Sequence, residues 1–428
     1  MSSNKRVNIT IGYILNYCSI PDLVFNGSLV TNFTFLHLDS IDPNGNSGLS
    51  FFADVMFTYA IESVNNRTDI LPDVHVNIAR FTDCGPYNPL ADLNYIGQSG
   101  GYASSKTSLD ISEVYTDVIG ILASEYSTTA RGPGEILSQY KIPYCADSTS
   151  SLRFSNKDNY PYFWRTSIGI GTGKAIYLLL NAWKVRQAGL IFESNSDFSI
   201  SYVNDVVDAF SHHDILIPSK IGIPSEYDEL LVDYIYLDIV RTNARISGTE
   251  YVYILANLPL NNSGKFPHKL FRRNINNRTV LLEFDNGVIF FGSILPDPNS
   301  EESIAVANAI NSAINPAISP SDLIGGNYAY DCAMMMLLGF DKLLKSLPFD
   351  AAENLGQRKL QNFMNFTLFK NLDYAGMTYN PLNLNEYGDA YMYVLNLIFI
   401  KNFLQHEVSQ SIHIPSDSKS KWNNDNAE

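Results

Sequence analysis

Two short segments of the chain are dense in hydroxyl side chains. One contains EYSTTARG (125–132) and the other is DSTSS (147–151). Each follows a short apolar segment typical of a buried strand, since GILA ends at Ala123 and KIPYCA ends at Ala146. Hydroxyls and free backbone N–H groups can bind an anion without a bulky cation. The two segments are therefore candidates for binding a small anionic group.

The same residue types also close the ends of helices. Ser and Thr are favoured at N-caps, where their oxygens accept hydrogen bonds from the first N–H groups of a helix. Pro133 suits a first helical turn, so we predict a loop over 127–132 and Pro133 early in a helix. Arg131 either adds charge to a binding site or points to water, and we favour water. Capping and ligand binding both stay open as roles for these hydroxyls.

Patterns typical of catalysis or nucleotide binding are missing from the sequence. The segment SIGIGTGKA (167–175) has Ile168 where a phosphate loop needs Gly, and Ala175 where it needs Ser or Thr. Its glycines are spaced GxGxG, and GxSxG, HExxH and EF-hand patterns do not occur. The one histidine pair, His212 and His213, is expected on an exposed turn. We predict a binding protein rather than an enzyme, with no metal and no cofactor.

Composition and charge limit the class of partner. The 44 acidic and 29 basic residues give a net charge of −15, which repels phosphate backbones and anionic membrane surfaces. Nucleic acid is therefore excluded as an expected partner. With 428 residues and 45% hydrophobic content, the chain exceeds what one core usually serves, which predicts two lobes.

The apolar segments predict buried elements rather than membrane spans. None approaches the roughly 20 residues that a spanning helix needs, and the longest are 333–340 and 394–400. The first residues pass directly into a strand pattern without the apolar stretch of a secretory signal. We expect neither a membrane span nor a signal peptide within the given chain.

Strand and helix patterns alternate along the chain, which predicts an α/β fold with mostly parallel sheets flanked by helices. In open sheets of this kind, ligands bind beyond the carboxyl ends of the strands, where both hydroxyl segments are placed. The predicted strands are 7–15, 73–81, 117–123, 141–146, 188–193, 214–223 and 250–256, and the predicted helices are 52–64, 172–186, 202–210 and 229–242.

Five segments together resemble a known family. In this order they are similar to motifs of the receptor family ligand-binding regions, or type 1 periplasmic-binding-protein-like Venus flytraps, of class C G-protein-coupled receptors such as metabotropic glutamate and GABA type B receptors. Natriuretic peptide receptors belong to the same family. The similarity extends from about residue 7 to 400. The five segments are AIESVNNRTDILPDVHVNIARFTDC (60–84), GILASEYSTTA (120–130), IPYCADSTSSLRFSNKDNYPYFWRTSIG (142–169), AYDCAMMMLLGFDKLL (329–344) and YAGMTYNPLNLNEYGDAYMYVLNL (374–397).

The resemblance implies a ligand site at the hydroxyl segments. Ser127 and Ser150 match positions at which amino-acid-binding relatives hold the ligand carboxylate. Phe198 lies near the position of an aromatic that covers the ligand, and Asn257 near that of an acidic residue that meets its amine. Asn at this position argues against an α-ammonium ligand. The implied ligand-binding residues are Ser127, Thr128, Ser148, Thr149, Ser150, Phe198 and Asn257.

The resemblance also implies the division of the chain. Lobe 1 is expected over 1–165 plus 298–375, as the ligand anchor and dimer face, and lobe 2 over 166–297 plus 376–405. A polar tail is expected over 406–428. The segment of lobe 2 that leads to the predicted strand at 250–256 is shorter than is usual in the family.

By resemblance, the chain is the extracellular ligand-binding module of a receptor, closing around an amino-acid-like or carboxylate ligand. It is expected to form a homo- or heterodimer through lobe 1 and to meet a membrane only through a region absent from the given chain. The alternative is a soluble solute-binding protein that delivers a small molecule to a transporter and is usually monomeric. An α/β enzyme of another type would need a turnover signal that no pattern here suggests.

The cysteines and the asparagine sequons bear on the compartment. The four cysteines have no CxxC spacing, so a zinc site is not expected. The resemblance implies a disulfide between Cys18 and Cys84, whereas Cys145 and Cys332 are expected to be buried and free. Seven sequons weakly support a glycosylated, secreted surface. They are at Asn8, Asn26, Asn32, Asn66, Asn261, Asn277 and Asn365.

Overall fold

The structure is a computed structural model that describes a defined set of residues. These are 6–17, 20, 22–33, 46–83, 101–123, 127, 129–167, 172–194, 197–223, 253–256, 272–275, 278–281, 288–292, 301–313, 326–347, 350–378, 381–390, 394–402 and 405–413.

The chain divides into two compact units. The first unit comprises residues 1–169, 261–264 and 295–390, and the second comprises 170–260, 265–294 and 391–428. No helix within the described ranges has the length and hydropathy needed to cross a membrane.

The described secondary structure comprises strands β1 to β15 and helices α1 to α8. The strands are β1 (Val7–Leu15), β2 (Phe25–Asn26), β3 (Leu29–Val30), β4 (Val74–Thr82), β5 (Val118–Ala123), β6 (Tyr144–Ala146), β7 (Phe163–Arg165), β8 (Leu190–Glu193), β9 (Lys220–Ile223), β10 (Tyr253–Ala256), β11 (Arg272–Ile275), β12 (Arg278–Leu281), β13 (Val288–Gly292), β14 (Val394–Asn402) and β15 (Gln405–His413). The α-helices are α1 (Asn46–Asn65), α2 (Tyr102–Glu113), α3 (Arg131–Gln139), α4 (Thr172–Ala182), α5 (Asp197–Ser211), α6 (Glu301–Ala313), α7 (Asn327–Lys345) and α8 (Ala351–Gly356).

The first unit is built on a seven-stranded sheet in the order β2-β3-β4-β1-β5-β6-β7. The five strands from β4 to β7 in this order are parallel, and the β2–β3 hairpin adds an antiparallel edge. Ile9 to Leu15 of central β1 are all buried, as expected for a strand covered on both faces. The predicted parallel α/β sheet is thereby confirmed for this unit.

Helices α1 and α7 pack together in the first unit, with α7 also against β5 and β6. Phe52, Val55, Met56 and Ala60 lie on one face of α1 and are buried. A Cβ atom at Gly120 of β5 would lie 2.6 Å from Sδ of Met336 in α7, so a larger residue at this position would require the Met336 side chain to shift. Residues 333–340 lie within α7, confirming the predicted buried element.

A disulfide joins Cys145 of β6 to Cys332 of α7, so the prediction that both cysteines are free is wrong. Both are fully buried, as expected. The packing of α7 on the sheet brings their Cα atoms to 5.8 Å, within the usual disulfide range, although 187 residues separate them. Cys18 and Cys84 lie outside the described residues, so their pairing stays a prediction.

The second unit contains smaller described sheets. Strands β8 and β9 are parallel, and β10-β13-β14-β15 form a sheet in which only the β10–β13 pair is parallel. Helices α4 and α5 pack together through a core that includes Leu179, Val206 and Phe210. The strand predicted over 214–223 is confined to Lys220–Ile223. The helix predicted over 229–242 lies outside the described residues.

Two predicted boundaries are corrected by long-range contacts. Residues 376–390 belong to the first unit rather than to lobe 2, because Asp331 of α7 accepts hydrogen bonds from the Met377 and Thr378 N–H groups. The predicted polar tail over 406–428 overlaps β15, which pairs antiparallel with β14. Residues 414–428 lie outside the described ranges.

Arg358 holds the C-terminal end of α2 in place. Its guanidinium donates to the carbonyl oxygens of Ile111, Ser112 and Tyr115 at 2.9 Å, and to that of Val118 at 2.8 Å. Carbonyls in the last turn of a helix have no helical donor and attract a cation. One side chain therefore ties α2 and the start of β5 to the segment after α8.

We predict that Arg358→Met lowers the free energy of unfolding by roughly 2 to 4 kcal/mol, because the carbonyls lose charged donors in a partly buried site. Urea unfolding followed by circular dichroism measures the change. The control is Arg67→Met, which removes an exposed ion pair with Asp69 and should cost less than about 1 kcal/mol. Equal losses in the two variants would contradict the prediction.

Candidate functional site

The structure brings the two hydroxyl segments together at the carboxyl edge of the first sheet. Strands β5 and β6 end side by side, with Ala123 opposite Ala146. Beyond them, Oγ of Ser127 accepts hydrogen bonds from the N–H groups of Ser150 at 3.2 Å and Ser151 at 3.1 Å. We call residues 147–151 the hydroxyl loop. Ser127 therefore joins the end of β5 to this loop.

Helix capping explains Ser151 but not Ser127. The N-cap of α3 is Ala130, which makes no side-chain capping bond, so the capping interpretation is wrong for Ser127. Ser151 caps the 3-10 helix Leu152–Ser155 by accepting from the Arg153 N–H. Helix α3 begins at Arg131, slightly before the predicted start. Arg131 is more than half exposed and pairs with Glu135, which confirms that it points to water.

The carbonyl groups of the hydroxyl loop are also fixed. Arg165 of β7 donates through Nη1 to the carbonyl oxygens of Thr149 at 3.2 Å and Ser151 at 2.7 Å. Ser167 Oγ donates to the same Thr149 oxygen at 3.0 Å. The loop is thus held by its N–H groups on one side and by its carbonyls on the other, a rigid arrangement that suits a binding site.

Arg165 is itself held by a buried acid. Its Nε lies 2.6 Å from Oδ1 of Asp389, and the two side chains are 0% and 1% exposed. Ser155 completes the network, since its Oγ donates to Asp389 Oδ2 at 2.7 Å and accepts from Arg165 Nη2 at 2.9 Å. The roles of these three residues were not predicted from the sequence. A charged residue directly after the apolar segment YFW, which must be paired if buried, was the available signal.

The predicted ligand residues differ in their accessibility. Ser148 is exposed, whereas Ser127, Thr149 and Ser150 are buried. Thr128 and Asn257 lie outside the described residues. The backbone of Phe198 lies in the first turn of α5 in the second unit. Among the candidate residues that the structure describes, Ser148 therefore has the hydroxyl that solvent or a ligand reaches most easily.

Two buried acidic residues lie at the same edge of the sheet. Asp147 begins the hydroxyl loop and accepts a hydrogen bond from the Tyr13 hydroxyl at 3.1 Å. Burial and the nearby Asp147 carboxylate raise the pKa of Tyr13. Asp83 follows β4, and its burial raises its pKa to about 7. Proton binding at this edge therefore changes near neutral pH.

Most described sequons present an exposed asparagine. Asn8, Asn26, Asn32 and Asn66 are exposed, and Asn365 is half-buried. Asn365 caps the 3-10 helix Phe366–Phe369 by accepting from the Thr367 N–H. Asn261 and Asn277 lie outside the described residues, and glycosylation stays a prediction.

The chain belongs to the family described as receptor family ligand binding region, whose sequence profile matches residues 54–402. The resemblance predicted from the motifs is thereby confirmed. A curated relative is taste receptor type 1 member 3 of Felis catus, 23% identical over 134 residues. That match covers 30% of this chain and 16% of the receptor, so it spans about a sixth of the relative's length.

Solved structures share the fold. The leucine binding protein LivK of Thermotoga maritima aligns with a TM-score of 0.57 and 12% identity over 95% of this chain and 99% of that chain. An ABC transporter substrate-binding protein of Desulfitobacterium hafniense aligns with a TM-score of 0.54 and 12% identity over 94% and 99%. These likenesses confirm the predicted type 1 periplasmic-binding-protein fold.

We predict that Ser148→Ala and Ser127→Ala affect the protein differently. Ser148 is exposed, so its replacement should leave the free energy of unfolding within about 0.5 kcal/mol and weaken a bound carboxylate about tenfold. Ser127→Ala should in addition cost roughly 1 to 3 kcal/mol of stability, because two buried N–H groups lose their acceptor. Calorimetry of ligand binding and urea unfolding measure the two quantities.

The matched control is Ser346→Ala. The Ser346 hydroxyl donates to the Leu343 carbonyl at the C-terminal end of α7, so its removal should leave ligand affinity unchanged. If Ser148→Ala binds the ligand as tightly as the parent, the hydroxyl loop is not the ligand site.

We also predict a pH-dependent stability from Asp83. Its folded-state pKa of about 7 exceeds the ordinary aspartate value of 3.8, so between these pH values the folded chain holds a proton that the unfolded chain releases. The contribution is complete below pH 3.8 and is lost as the pH rises through 7. Asp83→Asn should remove this loss. The difference in the free energy of unfolding between variant and parent should therefore change by roughly 3 kcal/mol between pH 4.5 and 7.5. Parallel pH slopes for parent and variant in urea unfolding would refute the assignment.

Proposed function

We propose that the chain is the ligand-binding sensor module of a receptor and that it anchors an amino-acid-like or carboxylate ligand at Ser127 and the hydroxyl loop. One observation carries the proposal: Ser127 Oγ accepts two backbone N–H bonds. A hydroxyl has one donor and two acceptor sites, so with both acceptor sites engaged its remaining capacity is to donate. A donor of this kind suits an anion.

The charge of the site supports a ligand that is bound by hydrogen bonds. The chain is acidic overall, with a net charge of −15, and Asp147 lies within the hydroxyl loop itself. A carboxylate there depends on donors at short range, such as the Ser127 and Ser148 hydroxyls, rather than on long-range attraction. Fixing the loop beforehand reduces the entropy lost on binding.

Two further residues enter this proposal from the family resemblance. Phe198 covers the apolar part of the ligand, and Asn257 falls in the sequence near the position at which relatives have an acidic residue. Because Asn carries no charge, an α-ammonium group gains little there. Closure around the ligand then shifts the population of conformations that the receptor reads. In this proposal the module is extracellular, is glycosylated at its sequons and pairs as a dimer through the first unit.

The alternative is a soluble protein that delivers a solute to a transporter. The likeness to LivK and to the ABC transporter substrate-binding protein over nearly the whole chain favours it. The match to part of a taste receptor favours the sensor. Light scattering of the purified chain discriminates, because a dimer supports the receptor module and a monomer supports the delivery protein.

We predict that small carboxylates stabilise the protein. A thermal-shift screen of the twenty L-amino acids, their deaminated analogues and simple amides should identify compounds that raise the unfolding midpoint, since a ligand at 100 times its dissociation constant adds about 2.7 kcal/mol. Carboxylates with and without an α-amine should give similar shifts, because Asn257 offers no charge to the amine.

Asn257→Asp is the matched control for the class of ligand. It should favour the amino acids over their deaminated analogues without changing the anchor at Ser127. If amides bind and carboxylates do not, the proposed ligand class is wrong, and if no compound shifts the midpoint, the proposed binding function fails.

A further inference from the structure

The chain passes between its compact units shortly after Arg165 and Asp389. One passage follows Gly169 and another follows Ala390. Backbone hydrogen bonds join the two segments, from Arg165 N–H to the Gly388 oxygen at 3.0 Å and from Ala390 N–H to the Arg165 oxygen at 3.1 Å. The segments that lead to these passages are therefore fastened to each other within the first unit.

The Arg165 side chain connects the same place to the hydroxyl loop. Its Nε pairs with Asp389, and its Nη1 donates to the Thr149 and Ser151 carbonyls. Asp389 has its second oxygen engaged by Ser155, just beyond the loop. A displacement of Asp389 would thus move the guanidinium that holds the loop. We call Arg165, Asp389 and Ser155 the clamp.

The energetics of a buried pair favour a geometric role for the clamp. Removing two charges from water costs several kcal/mol for each ion, and an apolar pair of similar volume is often as stable. The planar guanidinium directs N–H donors along fixed and separate directions, whereas a lysine ammonium acts as a point charge on a flexible stem. Arginine can therefore hold Asp389 and two loop carbonyls in one arrangement, and lysine cannot.

We infer that Arg165 is a positioning residue for the hydroxyl loop, and that its pairing with Asp389 couples the loop to the chain passage at residues 388–390. The inference rests on the proposed function only in assigning a ligand to the loop. This coupling has two consequences. A change at Asp389 should alter the loop, although no direct contact between Asp389 and the loop is described. A change in the loop should in turn alter residues 388–390.

Hydrogen exchange without ligand tests the coupling. The parent protein, Arg165→Lys and Asp389→Asn are compared at the Ser150 and Ser151 amides, relative to the Ile121 amide in the core of the sheet. Both variants should exchange at the loop about tenfold faster or more. In the reverse direction, Ser127→Ala should speed exchange at the Ala390 amide. Asp389→Asn keeps the size and an acceptor, so it serves where Arg165→Lys folds poorly.

Arg80→Lys is the matched control. Arg80 makes a second, largely buried arginine–aspartate pair in the same unit, with Nε 2.8 Å and Nη2 3.1 Å from the Asp54 oxygens. Its other partners are Thr58 and the ring of Phe33 rather than the hydroxyl loop. This control should leave the relative exchange of the loop amides unchanged. The inference is overturned if the loop exchanges equally in Asp389→Asn and the parent, or if Arg80→Lys loosens it as much.

A binding arm separates this inference from the proposed function. L-leucine and acetate are the probes, and calorimetry should show a loss of affinity of about tenfold or more in Asp389→Asn with less than about twofold change in Arg80→Lys. If neither probe binds the parent, the proposed function loses support while the exchange data still decide the clamp. If a probe binds parent and Asp389→Asn equally, the clamp does not position the ligand site.

Discussion

The buried guanidinium of Arg165 is the constraint on which the candidate site depends. A cation without access to water must find its acceptors within the protein. Here those acceptors come from the hydroxyl loop, from Ser155 just beyond it, and from Asp389, which is more than 200 residues away in sequence. Because the donors of this one side chain must all be paired, Arg165 fixes the relative positions of the loop, Ser155 and Asp389. The order of the loop arises from the interior beneath it rather than from the loop's own residues.

The loop's surroundings also decide which chemistry its hydroxyls can offer. Ser151 is used as a helix cap and Ser127 as an acceptor for two N–H groups, while Ser148 remains exposed. Three serines of the candidate site thus take three different roles. Composition indicates that hydroxyls are abundant at the strand ends, but only the hydrogen-bond partners show which role each of the three serines takes.

The sequence predicted the elements whose pattern is local. Central β1, helix α1 and β5 were found because apolar periodicity is read within one segment. The Cys145–Cys332 disulfide, the placement of 376–390 in the first unit and the Arg165–Asp389 pair were missed. Each joins residues that are far apart in sequence, and nothing in either local segment specifies the partner. The adjacency of the hydroxyl segments was predictable because neighbouring parallel strands end at one edge.

The low identity to solved structures agrees with this difference between local sequence patterns and long-range contacts. At 12% identity the fold persists because apolar periodicity and helix–sheet packing tolerate many sequences. A ligand site is less tolerant, since it depends on individual donors and on the groups that orient them. In our proposal the first unit recognises the carboxylate, a feature shared by many ligands. In the same proposal, discrimination among ligands depends on other residues such as Asn257, which carries no charge and so gives no reason to prefer a free α-amine.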